Sequence, residues 1–343
     1  MSDPSSTPSR RRGRRLAATI AVVAATAIAL VGCASPSASS DATSAGATPV
    51  SYQLGWLPTV EWGANWLADD EGMYAANGVD FSWQPGGPNV TSDTVVASGK
   101  ALVGSSNADT IAKAISEGAD LKIFGAAFQK NPFCILSLAD KPINTPQDMI
   151  GKRIGVAAGN QTAFDLLLKI NGIDPSQVTV VPVQYDPAPV ANGEVDGQVV
   201  FSINEPTQLE KKGFKTHVML FADHGYDVLA DVFVATNETI EKNPEALAAF
   251  LKATRQGYQA LMDDPQKAAE LTVQKYGKDQ GLDLDQQVLE AKAMKDLILT
   301  PDVTTPLALT KDAMAANIKT IGMLGISVTA DQLFTTKILD MIN

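Results

Sequence analysis

Cysteine and histidine are scarce in this 343-residue chain, with two of each: Cys33, Cys134, His217 and His224. So few thiols exclude a disulfide framework, and so few imidazoles exclude a histidine-rich metal centre. No Gly-x-x-x-x-Gly-Lys phosphate loop and no Gly-x-Ser-x-Gly nucleophile elbow occurs. The chain also lacks the charge excess and low hydrophobicity of a disordered protein, since 45% of its residues are hydrophobic and 19% charged. What remains is a globular α/β composition, long enough for two lobes with cores of their own.

Charge is unevenly placed. The formal net charge is −11, yet Arg10, Arg11, Arg12, Arg14 and Arg15 all precede residue 16. They are followed by Leu16 to Val31, an uncharged run too short to span a bilayer comfortably and suited to a secretory leader. Leu30-Val31-Gly32-Cys33 resembles the lipobox of bacterial lipoproteins, in which the cysteine sulfur carries diacylglycerol and the leader is cut before it. Residues 1–32 are therefore expected to be a signal peptide and Cys33 a lipid anchor. Residues 34–49 carry no large apolar side chain and read, with Cys33, as anchor and disordered tether. Loss of the leader removes five Arg and Asp3, which takes the net charge to −15. A body of that charge is a poor partner for nucleic acid. Cys134, left alone in the apolar run 132–136, reads as a small buried hydrophobe.

From Val50 onward, β-branched and aromatic runs alternate with helical stretches, which predicts largely parallel sheets. Strands are expected near 50–54, 79–84, 101–105, 121–127, 133–138, 153–157, 178–183, 197–202, 216–221 and 231–236. Helices are expected over 62–76, 91–98, 107–117, 161–171 and 204–212. After Thr236 only helices are expected, over 244–262, 265–276, 284–298, 310–324 and 330–342. Two strand-like segments, 133–138 and 228–235, flank a compact βαβ block from about 140 to 225. That pattern suits a chain leaving one lobe, building a second and returning, although one continuous sheet would yield a similar string.

Several segments look familiar in order. They include Gln53-Leu54-Gly55-Trp56-Leu57-Pro58 with Glu61-Trp62-Gly63, Glu71-Gly72-Met73-Tyr74 leading to Asn77-Gly78, and Pro85-Gly86-Gly87-Pro88-Asn89. Further along come Val103-Gly104-Ser105-Ser106-Asn107, Gly151-Lys152-Arg153-Ile154-Gly155-Val156, Glu194-Val195-Asp196-Gly197 and Asn204-Glu205-Pro206. The set resembles the SsuA/Thi5-like group of solute-binding proteins, which serve ABC importers for thiamine pyrimidine precursors, riboflavin, nitrate, taurine and other sulfonates. The resemblance implies an α/β, type II periplasmic-binding-protein-like fold, with two lobes on a two-stranded hinge and C-terminal helices. Lobe 1 would comprise 50–132 and 230–343, lobe 2 would comprise 138–225, and the hinge would lie near 133–137 and 226–229. No cofactor is expected. The implied partners are a small-molecule solute, an ABC permease with its ATPase, and the membrane through lipidated Cys33, with the protein monomeric on the extracytoplasmic face. Fungal pyrimidine synthases share the fold and use a histidine early in the chain beside a cysteine-rich segment. Here no histidine precedes His217, which argues against that enzyme.

Candidate ligand contacts fall where strands end. Trp56 follows the first strand, Trp62 and Trp66 lie a turn apart on the next helix, and Glu61 stands close by. Indoles offer faces for a planar ring, and the same positions suit core packing. Asn89 lies in a Gly-Pro turn, while Ser105, Ser106 and Asn107 open a helix, where they would serve a ligand or simply cap. Asn160, Gln161 and Thr162 mark a second strand-to-helix junction, whose N-terminus could face an anion. Tyr185 and Asn204-Glu205 end later strands, and Asp223, Asp227 and Asp231 surround the return crossing. Five carboxylates (Glu61, Glu205, Asp223, Asp227, Asp231) against one cation, Lys130, favour a neutral or cationic heteroaromatic solute over a sulfonate or nitrate.

Overall fold

The computed structural model describes residues 46–87 and 90–343. The expected leader, the anchor Cys33 and most of the tether therefore lie outside the described residues, as do Pro88 and Asn89. No helix among the described residues is long and apolar enough to cross a membrane.

Among the described residues, ten strands form two five-stranded sheets. The first contains β1 (Thr48–Gln53), β2 (Val79–Gln84), β3 (Val103–Ser106), β4 (Lys122–Phe128) and β10 (Ala230–Ala235), in the order β2-β1-β3-β10-β4. The second contains β5 (Phe133–Leu138), β6 (Arg153–Val156), β7 (Thr179–Pro182), β8 (Gly197–Phe201) and β9 (Thr216–Leu220), in the order β7-β6-β8-β5-β9. Each sheet is mixed, largely parallel as expected from pattern, with one strand running against the other four. In the first, β1 pairs parallel with β2 and β3, while β10 runs antiparallel to β3 and β4. In the second, β6 pairs parallel with β7 and β8, while β5 runs antiparallel to β8 and β9. The odd strand of each sheet is the one that the chain enters directly on crossing from the other sheet. The segment 133–137 lies within β5, and the chain passes from the first sheet to the second between Phe128 and Phe133.

The helices between strands are α1 (Gly63–Asp70), α2 (Met73–Ala76), α3 (Ser92–Ala97), α4 (Ala108–Ser116), α5 (Gln161–Ile170), α6 (Ala188–Ala191) and α7 (Glu205–Lys211). A C-terminal group follows: α8 (Asn237–Lys242), α9 (Pro244–Asp263), α10 (Pro265–Leu271), α11 (Leu284–Ile298), α12 (Lys311–Gly322) and α13 (Ala330–Leu333). The helix expected over 62–76 is broken at Gly72, whose φ of 70° is a left-handed conformation that ends α1. The helix expected over 330–342 stops at Leu333. Phe334 instead bridges Ile123 on the edge strand β4, and Thr335 N–H donates to Ile123 O at 2.9 Å. Covering an open sheet edge outweighs local helix preference there.

Packing ties the C-terminal helices to the first sheet. Tyr52 on β1 is fully buried against Trp62, Phe81, Phe233 and Phe250. α9 crosses α1 at Gly257, where an added Cβ would stand 2.0 Å from Ala64 O, so only glycine permits the approach. Cys134 is free and buried, and burial pushes its thiol pKa well up, in keeping with a structural role.

Candidate functional site

A cavity of about 280 Å³ opens between the two sheets. Its walls come from the carboxyl ends of the parallel strands: Gly55 and Trp56 after β1, Gly87 after β2, Ser106 and Asn107 at β3, Gly159 and Asn160 after β6, Tyr185 after β7, and Phe201, Asn204 and Glu205 at and after β8. The antiparallel strands contribute their opposite ends, Phe133 of β5 and Asp231 of β10. In α/β sheets ligands sit in the crevice beyond the strand carboxyl ends, where loops and helix N-termini converge.

Local chemistry places each wall. Gly86 N–H donates to Trp56 O at 2.9 Å, and a Cβ on Gly86 would lie 2.4 Å from Leu54 O, so this turn lies flat against the Trp56 loop. Gln53 Nε2 holds the same turn through Pro85 O at 3.0 Å. Across the cleft, Gly159 leaves room for the Tyr185 hydroxyl, which a Cβ there would approach to 2.4 Å. Asn160 Nδ2 donates to Val199 O at 3.3 Å. Trp56 and Tyr185 meet with ring centroids 4.3 Å apart at 60°, so aromatic faces from both sheets close one side of the cavity.

Of the residues expected from sequence, Trp56, Glu61, Ser106, Asn107, Asn160, Tyr185, Asn204, Glu205 and Asp231 line the cavity. Trp62 and Trp66 do not. Both are core residues whose indole N–H groups donate to Leu57 O and Thr59 O, each at 3.0 Å, and Trp66 stacks on Tyr276 at 4.5 Å. A spacing of four residues put them on one helix face, and that face turned to the core. Gln161 also points elsewhere, donating to Asp165 at 2.7 Å, and Thr162 is not among the lining residues. Asn89 lies outside the described residues. Asp223 pairs with Lys130 at 2.8 Å, and Asp227 is exposed away from the cavity, so two of the five expected carboxylates drop out together with the one cation.

Sequence reasoning missed Thr91, Ser92 and Asp93 at the start of α3, Thr110 on α4, and the apolar wall of Phe133, Val200 and Phe201. Phe133 and Phe201 are register partners with rings 4.8 Å apart. Their alternation resembles that of any core strand, and only strand pairing across the crossing brings them to the cleft.

The cavity's electrostatics are one-sided, with no Lys or Arg among the described residues that line it. Glu61, Asp231 and Glu205 line it, and Glu290 of α11 is buried close by. Burial, then the charges of Asp231 and Glu290, holds Glu61 well above the ordinary carboxylate range. Burial raises Asp231 and Glu205 each to about 7 and Glu290 to about 8.

The NMT1/THI5-like profile matches residues 63–268, more than half the chain. The chain belongs to the NMT1/THI5-like family. Similar proteins include the riboflavin-binding protein RibY of Chloroflexus aurantiacus, 25% identical over 250 residues, covering 70% of this chain and 71% of that one. The taurine-binding periplasmic protein of Escherichia coli is 31% identical over 55% of this chain and 60% of its own. The formylaminopyrimidine-binding protein of Halalkalibacterium halodurans is 24% identical over 64% and 68%. Among solved structures, the periplasmic aliphatic sulphonate-binding protein SsuA of Escherichia coli superposes with a TM-score of 0.63 at 16% identity, covering 81% of this chain and 92% of that one. This NMT1/THI5-like chain therefore has the periplasmic binding protein fold.

Proposed function

We propose that this protein is an extracytoplasmic solute-binding lipoprotein that captures a small heteroaromatic solute, such as a thiamine pyrimidine precursor or a related vitamin, and presents it to an ABC permease and its ATPase. The observation that carries the reading is the cleft itself: an apolar and aromatic wall of Trp56, Tyr185, Phe133 and Phe201, and a polar wall without a cationic side chain among the described residues. At about 280 Å³ it lies at the small end of ligand pockets, the size for a one-ring solute. Relatives named for riboflavin and formylaminopyrimidine support a ring, while those named for taurine and sulphonate supply the alternative.

The mechanism is capture, with no bond made. The ring packs against Trp56 and Tyr185, the polar wall reads its edge, and the bound solute favours the closed arrangement of two lobes that meet at the crossings near 129–132 and 221–229. A binding role also suits the chemistry present. Neither His217 nor His224 lines the cavity, and the Cys134 thiol is held protonated by burial. Anchoring rests on Cys33, and Cys33→Ser is expected to move the protein from the membrane fraction to the soluble one.

A thermal-shift screen against hydroxymethylpyrimidine derivatives, thiamine, riboflavin, taurine and nitrate tests the solute class. A rise in melting temperature with the heteroaromatics is expected. Stabilisation by taurine or nitrate alone would overturn the heteroaromatic assignment, and turnover of any ligand would overturn the receptor reading.

A further inference from the structure

Asp231 stands at a place where a buried charge has a purpose only if something else neutralises it. It is 7% exposed, lines the cavity, and its Oδ2 has no hydrogen-bond partner among the described residues. Its backbone φ is 46°, a left-handed conformation that Asp tolerates better than most non-glycine residues, and which holds the carboxyl at the start of β10. Ser105, 1% exposed, also lines the cavity with its Oγ unpartnered. Buried polar atoms are almost always paired, so two open ones on one cavity wall mark positions that a ligand would fill.

The groups around Asp231 offer it no cation. Glu61 faces it from the loop before α1, Tyr52 from β1 and Tyr258 from α9, while Glu205 of α7 and Glu290 of α11 act on Glu61 beside it. No set of three His, Cys, Asp or Glu side chains among the described residues is arranged to hold a metal ion, so these carboxylates do not form a metal cage. An organic cation with N–H donors fits instead: it would meet Asp231 Oδ2 as a charge-assisted pair while its ring lies against Trp56 and Tyr185.

We infer that Asp231 is the specificity-determining residue of the cleft, and that the captured solute carries an amidinium-like or protonated amino-heterocyclic edge that pairs with its carboxylate. This rests on the receptor reading above and narrows it from neutral or cationic solutes to cationic ones. Anionic solutes are rejected because they would enter a wall of carboxylates without a counter-charge.

Three planar probes that differ in charge test the point: benzamidine as the amidinium, benzamide as the neutral isostere, and benzoate as the anion. Binding to the purified full chain is followed by thermal shift and calorimetry at pH 8, up to about 10 mM probe. Benzamidinium is expected to bind at least about tenfold more tightly than benzamide, with no response to benzoate. Asp231→Asn, whose side chain suits the same backbone conformation, is expected to erase that preference while remaining folded, as its melting curve without ligand would report. Equal binding of benzamide or benzoate to the natural protein overturns the inference with no variant needed, and so does a preference that survives Asp231→Asn. Silence toward all three overturns it as well. If a solute from the wider screen still binds, the receptor reading stands without it; if that screen is silent too, both fall.

Discussion

Three buried carboxylates, Asp231, Glu205 and Glu290, hold their protons to about pH 7, 7 and 8, because burial penalises their charged forms. In the unfolded chain the same groups release protons near pH 4. Between about pH 4 and 8 the folded state thus binds more protons than the unfolded one, and stability falls as pH rises through that window. The ligand-free protein is expected to melt at a higher temperature at pH 5 than at pH 8, by several degrees or more, as scanning calorimetry would show. Exposed carboxylates with lowered values, such as Asp174 and Asp283, lose their contribution only below that range. The same linkage predicts that Asp231→Asn raises the melting temperature of the empty protein at pH 8, since it removes an unneutralised buried charge. Trp56→Ala is expected to weaken solute binding by about tenfold or more with a much smaller effect on melting, because the indole is only part-buried while the cavity is empty.

Between elements, two contacts matter for packing and for the cleft's surroundings. α9 lies on α1 through Gly257, and Gly257→Ala would force its Cβ into Ala64 O, with about 1 to 3 kcal/mol or more of destabilisation expected from denaturant unfolding. The seam between α7 and α11 joins the second sheet to the C-terminal helices. Gln286 Nε2 lies 3.2 Å from Asn204 Oδ1 and 3.3 Å from Thr207 Oγ1, and Lys211 pairs with Asp283. Gln286→Ala is expected to loosen closure, seen as a larger radius of gyration by small-angle scattering in the presence of solute. The ten strands were legible in the sequence because most are short β-branched or aromatic runs between turn residues, β3 (Val103-Gly104-Ser105-Ser106) being the sparsest. The long helices α9 and α11 were legible too, from their length and bounding residues. The terminal segment 334–342 was not, since its edge-covering bridge to β4 depends on a partner some two hundred residues away. Trp62 and Trp66 misled for a related reason: periodicity shows that side chains share a face, and says nothing of what that face meets.

At the level of the whole molecule, the cleft is assembled from at least nine separate stretches of chain, from Gly55 to Asp231. On the proposed reading, solute capture at such a place would draw the two sheets' surroundings together, and a compaction on adding solute is the expected scattering signature of the natural protein. The sequence by itself determined the α/β alternation, a basic cluster ahead of an acidic remainder, the family resemblance, and the strand ends that come to line the cleft. These are local properties, written in patterning and composition. Only the tertiary structure decided which of the strand-end residues converge, that Asp223 spends its charge on Lys130, that the two tryptophans of α1's entry belong to the core, and that Asp231 is left facing the cavity unpaired. The physical reason is that a side chain's role here depends on its counter-charge, and pairing is set by contacts between strands and helices far apart in the chain.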